Sequence, residues 1–168
     1  TACEQAKQWQ DAGHEPFMLS VNVSAVQFRD DGIADSIQKV IEETGLEAKY
    51  LELELTESIV ADDLDGTRQI LSDLKALGLS LAIDDFGTGY SSLAYLTQLP
   101  FDTLKIDQAF VRGKEKHNWA IVRAVCQLAR SLGLKIVAEG VETADHADML
   151  AGLGCHICLL YTSPSPRD

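Results

Sequence analysis

Five apolar runs in this chain end on a polar tip, and that pattern restricts its fold more than any other feature. MLSVN ends at Asn22, and YLELELTE carries Glu54 and Glu57. LAIDD ends in Asp84 and Asp85, TLKID carries Lys105 and Asp107, and KIVAEGVE carries Glu139 and Glu142. An apolar strand that stops abruptly at charge strands that charge away from water, unless the charges meet at a site that satisfies them. The tips Asn22, Glu54, Asp84, Lys105 and Glu139 stand 32, 30, 21 and 34 residues apart, close to one strand–helix unit each. Five such tips point to one shared active site.

The runs between the tips read as helices. Ile33, Ile37, Val40 and Ile41 recur at helical spacing, which predicts a helix over Ile33–Thr44 stopped by Gly45. Glu4–Ala12, Asp62–Leu77, Ser91–Leu96, Asn118–Leu132 and Thr143–Leu150 read as helices on the same grounds. Phe17–Val23, Tyr50–Leu55, Leu79–Ile83, Thr103–Ile106 and Leu134–Ala138 read as strands. Strands alternating with helices imply parallel pairing and right-handed crossovers. A doubly wound sheet gathers chemistry only at a switch point, whereas a barrel gathers it from successive strand ends. The expected class is therefore α/β, a partial TIM-like (β/α)8 barrel. At 168 residues the chain is short of the ~250 of a complete barrel, and it reads as a fragment.

The net charge of −12 argues against a nucleic-acid polymer as partner, because phosphate contacts need Lys and Arg. It leaves room for a small anion, provided cations held by carboxylates invert the local field. No apolar run approaches the ~20 residues of a membrane span. Four cysteines without framework spacing fit a reducing cytoplasm, although a tethered parent protein is compatible with a chain that opens on Thr1. Cys155 and Cys158 form a lone C-x-x-C, a weak metal or redox signal. The last eleven residues, Cys158–Asp168, resemble a translated sequencing adaptor. The expected organisation is a partial domain over 1–157 and a non-native tail over 158–168.

Asn22, Glu54, Asp84, Asp85 and Glu139 offer only hard oxygen donors, which suit Mg2+ or Mn2+ rather than zinc. Where a strand ends the chain turns, so Asp84 and Asp85 can both reach one site and flank two cations. Lys105 would then hold a phosphate oxygen or the attacking water. Asp84–Asp85 could instead be a turn pair, and Glu57 with Ser58 could simply start a helix. Phe86–Tyr90 holds two glycines, a weak phosphate signal alone. His14, His117 and His146 have no partner at ligand spacing.

SVNVSAVQF, ELTES, DDFGTGYSSLAYLTQLPFDTLKIDQAFV and VAEGVET, in this order, resemble the EAL family of bacterial cyclic di-GMP phosphodiesterases. The likeness covers Ser20 to Gly154. It implies a TIM-like barrel, with Asn22, Glu54, Asp84 and Asp85 binding two Mg2+ or Mn2+ ions. It implies that Lys105 and Glu139 act on the catalytic water, Glu139 as general base. Glu57 would hold the DDFGTGYSS loop and Glu142 would support the site. The implied reaction is hydrolysis of cyclic di-GMP to linear pGpG, in a protein that forms homodimers and carries a GGDEF or sensor domain.

Two departures weigh on this expectation. The EAL glutamate would lie before Thr1, and Leu159 stands where the family has a glutamine. The polypeptide as written is thus expected to be inactive, while its parent is an active phosphodiesterase. The alternative is a noncatalytic EAL-like module that binds cyclic di-GMP or a protein partner. A third, blander reading has these charges as solvated loop residues.

Overall fold

Strands whose two faces are both buried can carry charge only where one face turns toward a polar site, and β2 displays this rule plainly. A computed structural model describes residues 1–30, 32–61, 64–87, 96–113 and 116–160. They fall into two units, Thr1–Ala82 with Ser92–Phe101, and Ile83–Ser91 with Asp102–Asp168.

In the first unit, α1 (Ala2–Asp11) begins with a capping box in which the Thr1 side chain accepts from the Glu4 amide. β1 (Leu19–Asn22) pairs in parallel with β2 (Leu51–Thr56), with Leu19 opposite Leu51 and Asn22 opposite Glu54. Leu51, Leu53 and Leu55 bury one face of β2, while Glu52 and Glu54 share the other. Between the strands lie α2 (Ala25–Phe28) and α3 (Ile33–Thr44). Gly45 ends α3 at φ +69°, a left-handed cap that glycine adopts without strain. α4 (Glu57–Ala61) and α5 (Leu64–Ala76) follow, and Leu71 and Leu74 of α5 are fully buried. α3 packs against both α1 and α5.

β3 (Ser80–Phe86) starts in the first unit and ends in the second. The second unit continues with β4 (Thr103–Ile106), α6 (Gln108–Arg112), α7 (Lys116–Ser131), β5 (Lys135–Val141), α8 (Ala144–Gly152) and β6 (Ile157–Leu160). β4 pairs in parallel with β5, and β5 with β6. The strand order is sequential, β1-β2-β3 in one unit and β3-β4-β5-β6 in the other. Leu104, Ile106, Ile136 and Ala138 are buried at 0–1% exposure and form the apolar face of β4 and β5.

The expected helix over Ile33–Thr44 and strand over Thr103–Ile106 are found at those bounds. Phe17–Val23 shortens to β1, and Asp62–Leu77 begins at Leu64, residues 62–63 lying outside the described part. The expected helix at Ser91–Leu96 falls outside it too, except for Leu96. β5 runs on to Val141, so Glu139 lies within the strand rather than at its end. The short helices α2 and α6 were not anticipated, since four or five residues carry too little periodicity to read, while α4 starts at Glu57 as the alternative reading of Glu57 with Ser58 had it. β6 is a sixth strand, built in part from Cys158, Leu159 and Leu160, residues set apart with the tail for their resemblance to a translated adaptor.

Leu104→Ala is expected to destabilise the chain by about 2–5 kcal/mol, the cost of a cavity in a site that cannot collapse. Denaturant unfolding of the variant beside the wild type measures it.

Candidate active site

Of the residues expected from the sequence, Asp84 and Asp85 of β3, Lys105 of β4 and Glu139 of β5 come together in the second unit. β4 alternates Leu104 and Ile106 on one face with Thr103 and Lys105 on the other, all four buried. Lys105 lies opposite Val137, so its stem runs beside the face of β5 that also bears Glu139. Its ammonium, 6% exposed, stands 2.7 Å from Glu139 Oε1 and 3.2 Å from Asp84 Oδ2. Asp84 and Glu139 are themselves only 13% and 16% exposed. One buried cation thus bridges carboxylates from two different strands.

Asp85 completes the cluster. It holds φ +54°, the left-handed region, and its amide donates to Asp84 Oδ1 at 2.9 Å. That turn breaks the alternation that would otherwise send Asp84 and Asp85 to opposite faces. Burial pushes the Asp85 carboxyl up from its ordinary range, and the charges of Asp84, Asp107 and Glu139 push it the same way, together with a hydrogen bond to Asp107. Asp107 was noted in the sequence only as following Lys105; the structure makes it a neighbour of Asp85 and the cap of α6, accepting from the Ala109 amide at 2.8 Å. A K-x-D spacing at a strand end was the signal that could have found it.

The Lys105 ammonium pairs with Asp84 and Glu139, and the carboxylates of Asp85 and Asp107 stand beside them. The carboxylate donors are all oxygen, the set that hard divalent cations take. Among the described residues no three His, Cys, Asp or Glu side chains surround a common point as ligands would. Asp84 and Glu139 are drawn instead around Lys105.

In the first unit, Asn22 at the end of β1 is the register partner of Glu54 within β2. The Val23 amide donates to the Glu54 carbonyl at 2.9 Å, and Ser20 Oγ donates to Glu52 Oε1 at 3.0 Å. Glu54 is buried, as is Glu57 at the first position of α4. A carboxylate in the first turn suits the positive end of a helix. Glu142 lies in the second unit, where its Oε1 takes Arg112 Nε at 2.8 Å, so its contact is with α6. Of the loop that Glu57 and Glu142 were expected to support, residues 88–95 lie outside the described part. A cleft of about 590 Å³ opens between α7 and the end of α8, lined by Arg123, Cys126, Gln127, Arg130, Ser131, Gly152 and Leu153. None of the strand-end residues lines it.

The profile of the EAL domain matches residues 1–159. MucR of Pseudomonas aeruginosa, a bifunctional diguanylate cyclase/cyclic di-GMP phosphodiesterase, is 46% identical over 157 residues, 92% of this chain and 23% of the relative. The chain thus spans about a quarter of that relative's length. A solved structure of the PaMucR phosphodiesterase in complex with c-di-GMP superposes with a TM-score of 0.89 at 45% identity, covering 93% of this chain and 64% of that one. BlrP1 of Klebsiella pneumoniae, solved with manganese and c-di-GMP, gives a TM-score of 0.80 at 32% identity, covering 92% and 39%. The expected class, a partial TIM-like barrel of α/β type, is the one these likenesses carry.

Asp85→Asn isolates the charge, because asparagine also tolerates the left-handed region. Below the ordinary carboxylate range Asp85 is protonated folded or unfolded and changes nothing. As pH rises through that range the unfolded chain ionises first, so stability falls until the raised folded value is passed. In EDTA the variant is therefore expected to melt above wild type at neutral pH, with the gain fading toward about pH 3. A variant that melts lower at neutral pH would count against the cluster as described.

Proposed function

The chain belongs to the EAL domain family, and from that we propose that its protein is a metal-dependent phosphodiesterase hydrolysing cyclic di-GMP to linear pGpG. The observation that carries the reading is the buried Lys105 ammonium held between Asp84 and Glu139.

Asn22 and Glu54 of the first unit and Asp84 and Asp85 of the second are the residues we assign to Mg2+ or Mn2+. When bound, such ions neutralise phosphate charge and make water a better nucleophile. Glu139 is assigned as general base. Lys105 Nζ fixes its Oε1 at 2.7 Å, which orients the carboxylate so that its other oxygen can take a proton from water. The water oxygen adds to phosphorus as its proton passes to Glu139, the bond to one ribose oxygen breaks, and that oxygen takes a proton from solvent to leave as a hydroxyl. Lys105 is also placed to hold a phosphoryl oxygen as charge builds on it. Its burial strengthens that attraction, since little water screens it.

Glu57 and Glu142 are assigned to support. Glu142 does so by gripping Arg112 of α6. The manganese and calcium complexes of BlrP1 favour a divalent ion in general, and the oxygen donors here favour Mg2+ or Mn2+ in particular. MucR joins a diguanylate cyclase activity to a phosphodiesterase, which supports a GGDEF or sensor domain beside this one. We also assign homodimerisation and a cytoplasmic site of action. No helix of the described residues is long and apolar enough to cross a membrane.

With Mn2+ supplied, the full-length protein is expected to convert cyclic di-GMP to pGpG, read by chromatography. Asp84→Ala and Glu139→Ala should each lower turnover by roughly a hundredfold or more. Binding of cyclic di-GMP with no pGpG formed would overturn the assignment in favour of a receptor.

A further inference from the structure

α6 has five residues, too few to hold a helix together in water on their own. Its place is therefore set by what it touches. At its start, Asp107 accepts from the Ala109 amide and bonds Asp85. At its end, Asn118 Nδ2 donates to the Ala109 carbonyl at 3.3 Å, and Arg112 grips Glu142. Against β5 it lies so close that a Cβ on Gly140 would stand 2.5 Å from Gln108 Cβ, which only a glycine there permits. Gly140 follows Glu139 on β5 and Glu142 lies just past the strand's end at Val141, so α6 is seated on the segment that bears the proposed base.

The remaining contact reaches the other strand end. Phe110 is half-buried, and its Cε2 and Cζ lie 3.2 and 3.3 Å from where a Cβ on Gly87 would stand. Gly87 is at φ +95° and Asp85 at φ +54°, two left-handed residues within three. Such a backbone persists where its surroundings over-determine it. The ring of Phe110 is the side chain that packs on that turn from α6.

We propose that Phe110 is a positioning residue: through α6 it braces the Asp84–Gly87 turn against β5, and so fixes Asp84 and Asp85 relative to Glu139. This deepens the phosphodiesterase reading and rests on it for its catalytic meaning. Phe110 acts through Gly87, and Arg112 with Glu142 anchors the helix from which it acts.

Hydrogen exchange on the metal-free chain tests the brace without any appeal to catalysis. Phe110→Ala is expected to speed exchange over Asp84–Gly87 roughly tenfold, with β1 and β2 unchanged, and Phe110→Leu to speed it less. In the full-length protein, Phe110→Ala should weaken Mn2+ binding by roughly tenfold, the scale of loss when a ligand's support is removed. It should lower kcat while leaving KM nearly alone. Should Phe110→Ala unfold, Phe110→Leu decides by the same local exchange. Unchanged exchange over Asp84–Gly87 in the variant that folds overturns the proposal. Faster exchange there, in a protein whose wild type neither binds Mn2+ nor hydrolyses cyclic di-GMP, upholds the brace and sinks the phosphodiesterase reading instead.

Discussion

The Lys105 ammonium is the interaction on which the second unit depends. Taking a lone ammonium out of water costs several kcal/mol, and taking a carboxylate out costs about as much. The fold buries both by setting Lys105 on β4, where it meets Asp84 from β3 and Glu139 from β5. Three adjacent strands are thereby pinned at one level by charge, above an apolar face that the leucines and isoleucines already hold. Asp85 and Asp107 bring two further carboxylates beside it, and burial with these like charges pushes the Asp85 carboxyl up. On the phosphodiesterase reading proposed above, carboxylates gathered in this way would recruit cations and, through them, an anionic phosphodiester.

The same economy governs the geometry around it. β3 cannot present two consecutive aspartates to one place while it remains a regular strand, so the backbone turns left-handed at Asp85. A residue with a side chain in that region needs support, and the support comes from the Phe110 ring on Gly87 and the Asp107 bond. Gly140 then admits α6 close to β5. Charge, turn and helix are consequences of one another: the carboxylates require the turn, the turn requires the brace, and the brace requires glycine at Gly87 and Gly140.

Much of this was legible in the residues. The alternation of Leu with Glu in β2 announces a strand with one greasy and one polar face, and the β3 and β4 runs announce their charged ends in the same way. The strand over Thr103–Ile106 and the helix over Ile33–Thr44 follow from periodicity alone, because packing adds nothing that contradicts it. What stayed hidden depends on contacts distant in sequence. α6 is a helix only because Asp107, Asn118, Glu142 and Gly87 hold it, and five residues cannot advertise that. Glu139 was expected at a strand end, yet β5 continues past it, since Gly140 at φ +69° lets the strand bend without stopping. The role of Asp107 was obscured by its place just beyond the more conspicuous lysine.

Equilibrium unfolding of Lys105→Met in EDTA tests the central claim most directly. Methionine keeps the stem and removes the charge, leaving Asp84 and Glu139 buried without their cation. The variant is expected to lose about 3–5 kcal/mol, the scale of a buried ion pair robbed of one partner, and to regain part of it when Mn2+ is added. A Lys105→Met chain as stable as wild type in EDTA would contradict the account, since the carboxylates would then be held together by something other than that ammonium.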